Sequence, residues 1–394
     1  MAAAGDGLEK LEDMIVRAAE STGAQVAAAK AAIGKVIFGQ EQVVEQALIT
    51  VLSGGHALLV GLPGLAKTKL VETMGTVLGL EARRIQFTPD LMPSDIVGSE
   101  VLEESPGGKR SFRFIPGPIF GQLLMADEIN RASPRTQSAL LQAMQEQHVT
   151  VAGNRHDVPR PFHVLATQNP IEQEGTYPLP EAQLDRFLMQ IDVDYPDLEN
   201  ERKIVFDTTG MEESKPKPVM SADDLLAAQR LVRRLPVGES VVDAILSLVR
   251  SARPGPESGE LGKLISWGPS PRASQSLMLV ARARALIEGR LAPSIDDVTN
   301  ATARTFRAFA EQTGSDLRAL AAVILAARAR ITAEALARAI TERGHRHAEY
   351  AGDLKAAGSR LLEVAREGDV VLTLGAGSVW TAGEDLLRKR GGAS

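Results

Sequence analysis

At 394 residues, 44% hydrophobic and 24% charged, the chain is long enough for two or three domains with cores of their own. Its lack of cysteine excludes a disulfide framework and thiolate metal sites, and a formal net charge of −6 argues against broad nonspecific nucleic-acid binding. No apolar run approaches the ~18 residues of a membrane span, and the Ala-rich, then acidic start is unlike a signal peptide, so the cytoplasm is expected.

Up to about Ala32 the chain reads as one or two helices, with Leu8, Leu11, Met14 and Ile15 forming a stripe. A further helix is predicted from about Glu41. Ala57 to Val60 reads as a buried strand that breaks into the turn GLPGLAKTK. Gly61 and Gly64 permit backbone geometries that a side chain would block. The N–H groups of the turn and of the next helix then form an anion site, so Gly61, Pro63, Gly64, Leu65, Ala66, Lys67, Thr68 and Lys69 are candidate phosphate-binding residues. Lys67 would reach the β/γ-phosphates, and Thr68 would offer its hydroxyl to Mg²⁺. Relative to the pattern GxxxxGK[ST], Ala66 stands where the last Gly is usual.

Leu70 to Leu78 reads as an amphipathic helix and ARRIQF as a strand. The long piece after it is predicted to hold a hairpin with a Pro-Gly-Gly turn, EVLEES pairing with SFRFI. Leu123 to Ala126 is an apolar run of the kind a buried parallel strand shows, and chemistry gathers at the carboxyl end of such strands. There Asp127 would hold Mg²⁺ and Glu128 would orient and deprotonate an attacking water. A helix over ASPRTQSALLQAMQEQ is followed by a second hairpin with Gly153-Asn154 at its tip. FHVLATQNP ends in Asn169, a neutral group able to position the water or sense the γ-phosphate. His148, His156 and His163 lack metal spacing and are assigned no ligand role. KPKP near Lys215 is linker-like, and amphipathic helices dominate after it.

GLPGLAKT, LLMADEINRASPRTQSALLQAMQE, VLATQNP, LPEAQLDRF and GPSPRAS, in this order, resemble the MoxR family of AAA+ ATPases over roughly Ile33 to Val298. An Ala before the Lys is itself usual in that family. The resemblance implies an α/β fold: a P-loop AAA+ core with a parallel sheet, then a small helical lid. It places Val36, Ile37 and Gly39 over the adenine and makes the first hairpin an insertion in the second helix of the core. It makes Arg186 the arginine finger completing a neighbour's site, with Arg131 and Arg135 as further residues that could reach across. It makes Arg272 a lid arginine reaching the γ-phosphate of its own subunit. The implied cofactors are ATP and Mg²⁺, and the implied partners are a homo-oligomeric ring, expected to be hexameric, and client proteins, often with von Willebrand factor A domains. A chaperone-like role, including metal insertion into clients, is implied as well.

The last part of the chain reads differently. Val370 to Leu374 is a predicted strand ending in Gly375-Ala376-Gly377, half of a dinucleotide fingerprint. ITAEALARAI and GDVVLTLGAG resemble the end of UDP-N-acetylmuramate–alanine ligase, without that enzyme's ATP loop or central domain. The expected domains are an N-terminal helical segment (1–32), the AAA+ core (33–196), the helical lid (197–305) and a partial α/β segment (306–394). Three other readings stay open on the sequence. A nucleic-acid motor would need basic, aromatic pore loops, for which PGGKRSFRF is the one tempting stretch. A scaffold with a dead site is opposed by the intact Asp127-Glu128 pair, and a cell-wall ligase rests on the tail alone.

Overall fold

The computed structural model describes residues 2–104, 110–171, 175–208, 216–253 and 268–300, with backbone alone for 2–15, 181–182 and 208. These all belong to the first of two compact units, Met1–Ile324. The ligase-like tail, including Gly375, Gly377, His345 and His347, and the Pro-Gly-Gly turn at 106–108 lie outside the described residues.

Helices α1 (Ala2–Gly34) and α2 (Glu41–Leu52) precede β1 (Ala57–Gly61), α3 (Lys67–Val77) and β2 (Ala82–Gln86). The short α4 (Pro93–Val97) leads into the hairpin β3 (Gly98–Glu104) and β4 (Arg110–Pro116). Then come β5 (Leu123–Asp127), α5 (Pro134–Glu146) and a second hairpin, β6 (His148–Val151) and β7 (Asn154–Asp157). The core closes with β8 (His163–Gln168), α6 (Glu181–Leu184) and β9 (Met189–Val193). Helices α7 (Leu198–Thr208), α8 (Ala222–Arg234), α9 (Glu239–Ser251) and α10 (Pro271–Ile287) come last.

Five strands form one parallel sheet in the order β2-β5-β8-β1-β9. Its central strands are apolar on both faces because helices cover both; Leu58, Leu59, Leu124, Ala126, Val164 and Ala166 are at most 1% exposed. Each such Leu or Val contributes about 1.5–3 kcal/mol by leaving water. Because β5, β8 and β1 are consecutive neighbours in this order, their carboxyl ends open side by side. Parallel strands require crossovers, which carry the chain from each carboxyl end back to the opposite edge.

The long α1 is a single helix that packs against α2, α3, α8 and α10, with Ala19, Val26, Ala29 and Ile33 buried along one face. It therefore bridges core and lid. The second hairpin differs from expectation by one position. Val151 pairs with Asn154, so the two-residue tip is Ala152-Gly153, with φ of 48° and 85°. A two-residue loop that needs positive φ at both positions accounts for this.

The lid starts with a reciprocal cap: the Ser221 hydroxyl accepts from Asp224 N at 3.2 Å, and the Asp224 carboxylate accepts from Ser221 N at 2.9 Å. Leu225, Ala228, Leu231 and Val232 bury one face of α8. Polar contacts join lid to core: Gln229 donates to the Val51 carbonyl at 2.8 Å and meets His163 Nε2 at 3.0 Å, and Ser53 donates to the Leu279 carbonyl at 3.4 Å. These attach α8 and α10 to the end of α2, just before β1 begins. The lid thus rests on the amino edge of the central strand.

Candidate active site

The chain leaves β1 through a turn that only certain residues allow. A Cβ at Gly61 would lie 2.4 Å from the Val193 carbonyl oxygen, so β9 can approach only a glycine there. Gly64 has φ 84°, and Ala66, the residue just before α3, has φ 57° and ψ 19°. That left-handed geometry is why glycine is usual at the Ala66 position, and here an alanine adopts it. The Lys67 ammonium donates to the carbonyls of Gly61 at 2.7 Å and Leu62 at 2.5 Å, lying across its own loop. Burial lowers its pKa from the usual lysine value, while the carboxylates of Asp127 and Glu128 pull it back up. The loop cation and the acidic pair therefore share one electrostatic site.

The acidic pair sits at the end of β5. Asp127 Oδ1 accepts from the Thr167 hydroxyl at 2.5 Å, and Oδ2 accepts from Arg84 at 2.5 Å. Glu128 has φ 56° and ψ 49°, an uncommon conformation for a residue with a side chain, and the strand turns there into a short 3₁₀ segment, Ile129–Arg131. Its N–H donates to Thr167 Oγ1 at 2.8 Å. Its carboxylate accepts from Gln86 at 2.9 Å and Arg131 at 3.0 Å. Behind the turn, the Gln137 amide donates to the carbonyls of Ile129, Ala132 and Tyr177 at 3.2, 3.1 and 3.0 Å. Thr167, Gln86, Arg84 and Gln137 are site residues that motif reading missed. A polar residue ending a strand that neighbours the acidic one was the available signal for Thr167.

Asn169 lies one residue beyond the end of β8, 8% exposed, and its side-chain oxygen accepts from Ile171 N at 3.2 Å. Lys67, Asp127, Glu128 and Asn169 are thus brought to the carboxyl ends of three adjacent strands. Thr68 and Lys69 open α3 beside Lys67, while Pro63 is exposed and Leu65 half-buried in the loop. Of the candidate base contacts, Val36 is half-buried, Ile37 is 3% exposed, and a Cβ at Gly39 would lie 2.7 Å from Asn200 Cβ. Gly39 has φ 68° and lies against the start of α7.

The arginines divide in a way the sequence did not indicate. Arg131 reaches Glu128 of its own chain. Arg272, expected at the phosphates of its own subunit, instead lines a cavity of about 260 Å³ together with Arg186, Gly54, Gly55 and His56. Those residues precede β1, so the cavity lies at the opposite end of that strand from the phosphate loop. The lid contacts to Val51 and Ser53 place it there. Ser270, which caps α10, donates to Asp185 at 3.0 Å and brings the two arginine-bearing turns together.

The residues fit a magnesium nucleotide. The loop has a half-buried ammonium and a helix amino end, with nothing within 4 Å of the place a Gly64 Cβ would take. Thr68 and Asp127 supply the hard oxygen donors that Mg²⁺ prefers. Among the described residues no group of three or more His, Cys, Asp or Glu could hold a metal by itself. No helix among the described residues is long and apolar enough to cross a membrane.

Fold and site together define a P-loop α/β nucleotide-binding core with a helical lid. A sequence profile of the "ATPase family associated with various cellular activities (AAA)" matches residues 56–189, and an AAA lid domain profile matches residues 262–307. The chain is 46% identical to Chaperone MoxR1 of Mycobacterium tuberculosis over 66% of its own length and 68% of that protein's. It is 34% identical to Protein MoxR of Paracoccus denitrificans, over 68% of this chain and 84% of that one. The crystal structure of a candidate ATPase from Cytophaga hutchinsonii superposes with a TM-score of 0.72 at 36% identity, covering 81% of this chain and 97% of that one. The chain belongs to the MoxR family of AAA+ ATPases. The ligase resemblance of its tail finds no support in these comparisons.

Proposed function

We propose that this protein is a Mg²⁺-dependent ATPase that hydrolyses ATP within a ring and uses the lid's movement to remodel or mature partner proteins. The observation that carries the reading is the meeting of Lys67 with Asp127 and Glu128 at the carboxyl ends of β1 and β5. Lys67 and the loop N–H groups hold the triphosphate; Thr68 and Asp127 would hold the metal. When bound, Mg²⁺ neutralises phosphate charge and orients the terminal group. Glu128 takes a proton from water as the water's oxygen bonds to the γ-phosphorus, and the bond to the β-phosphate oxygen breaks, leaving ADP and phosphate. Asn169 positions that water.

Arg186 and Arg272 share one face of the molecule, remote from their own chain's phosphate loop. Both therefore serve a neighbour's γ-phosphate. A ring, with six subunits as the expected number, is the active form, because an arginine finger supplied in trans is worth about 10³–10⁵ in rate. The family likeness supports clients that are folded proteins, von Willebrand factor A domains and metal-requiring enzymes among them. A nucleic-acid motor is less well supported. On the exposed hairpin β3–β4, Arg110 faces Glu104 and Arg113 faces Glu103, so a phosphate backbone would meet a carboxylate beside each of these arginines.

Glu128→Gln tests the reading. ATP should still bind while turnover falls at least about 10²-fold, the usual contribution of a general base. Unchanged turnover would remove Glu128 from the role.

A further inference from the structure

Several apolar surfaces are exposed on the described residues, the β3–β4 hairpin among them, and two others adjoin parts of the site. The first is on α7, where Leu198 is 82% and Phe206 70% exposed. Leu198, Arg202 and Phe206 recur at intervals of four and share one side of the helix. This helix starts beside the phosphate loop: Gly61 pairs with Val193, and Pro196 and Asn200 fill the space against Gly39. The second is a groove of about 500 Å³ in the lid, between α9 and α10, lined by Val242, Ile245, Leu246, Met278, Leu279 and Arg233. Leu246 is 46% exposed there. The groove adjoins the cavity of Arg186 and Arg272, the two sharing Arg233, Gln275 and Leu279 as walls.

The charges around the two surfaces differ: α7 is acidic in its first turn and basic after it, with Arg202 on the side that carries Leu198 and Phe206 and Lys203 next to it. The first turn of α7 carries Glu199 and Glu201, with Asp194 and Asp197 exposed just before it. The groove is walled in part by Arg233, from the last turn of α8. Beside it Arg282 is partly buried, and the Arg233 charge helps to lower its pKa. An acidic surface brought to this wall would relieve that repulsion.

We infer that α7 of one copy docks into the lid groove of the next, with Leu198 and Phe206 as its apolar anchors. This contact rests on the proposed ring and specifies which surfaces form it. Two different patches on one chain make a head-to-tail interface, the type that closes into rings. The same docking would bring one copy's phosphate loop, beside which α7 begins, toward the next copy's Arg186 and Arg272. One contact thereby couples assembly to completion of the site.

The test uses full-length protein with ATP, sized by light scattering. Phe206→Asp alone and Leu246→Asp alone should each leave the protein monomeric, with ATP affinity within about threefold of the parent. An equimolar mixture of the two should form a two-subunit species, since one intact surface remains on each. Because the chain has no native cysteine, Phe206→Cys mixed with Leu246→Cys should form a disulfide-linked pair on oxidation, while neither variant should cross-link with itself. If either aspartate variant assembles like the parent, or the mixture stays monomeric, the docking assignment is wrong while the ring reading stands. If the parent itself stays monomeric with ATP, the ring reading fails and this contact fails with it. Parent-like rings from both variants together with a lost response to an added client would instead make these surfaces client-binding and overturn the assignment.

Discussion

The Thr167 hydroxyl lies 2.5 Å from Asp127 Oδ1 and accepts the Glu128 N–H at 2.8 Å, so one side chain on β8 holds both acidic residues at the end of β5. The hydroxyl can do both because it donates to one group and accepts from the other. The pairing of β5 with β8, Ala126 opposite Ala166, puts it within reach.

Thr167→Val keeps the shape and removes both bonds. A buried polar group left unpaired costs about 1–3 kcal/mol, so turnover should fall roughly 10- to 100-fold. ATP affinity should change little, since Lys67 and the loop are untouched. Single-turnover hydrolysis set beside equilibrium nucleotide binding separates the two effects; a loss confined to affinity would contradict the placement.

Ala66 holds φ 57° at the entry to α3. Glycine adopts this geometry without the ~1 kcal/mol that an L-residue incurs, so Ala66→Gly should raise thermal stability by about 1–3 °C. A scanning-calorimetry midpoint that falls would show that the loop's rigidity outweighs its strain.

Subunit mixing tests which face the arginines serve. Lys67→Ala should lose nucleotide binding and Arg186→Ala should lose the finger, yet a mixture of the two should exceed either parent by at least about tenfold. Arg186 and Arg272 line one cavity, so mixing Arg186→Ala with Arg272→Ala should produce no such recovery. Recovery in that second mixture would mean that Arg272 acts within its own subunit.

Acid should loosen the junction of core and lid. His56 and His163 are both buried and held neutral, their pKa values lowered by burial from 6.5 to about 3 and about 4. The unfolded chain binds protons below about pH 6.5 where the folded chain does not, so this stability is present above that pH and lost as pH falls toward 4. At about one unit below 6.5 each histidine costs roughly 1.4 kcal/mol. Denaturant titrations at neutral pH and at about pH 5.5 should therefore differ by roughly 3 kcal/mol more in the parent than in His56→Asn/His163→Asn.

Much of the site could be read from residue order because its chemistry lies at strand ends. Four apolar residues followed by Asp127 and Glu128 announce a buried strand and a polar terminus in the same stretch, and GLPGLAKT announces the loop. The brace of Gln137 and the ties from Arg84 and Gln86 could not be read in this way. They join elements that are distant in the chain, and no local pattern encodes which strands become neighbours. Gly153-Asn154 was read as the hairpin tip, one position off, because it shares its glycine with the actual tip, Ala152-Gly153, and only the pairing of Val151 with Asn154 distinguishes them.

The sequence by itself determined the family, the phosphate loop and the acidic pair, since each depends on a few consecutive residues whose spacing is also their chemistry. Only the tertiary structure decided where Arg272 stands. That position depends on which edge of the sheet the lid packs against, set by Gln229 against Val51 and Ser53 against Leu279, contacts between residues 178 and 226 positions apart.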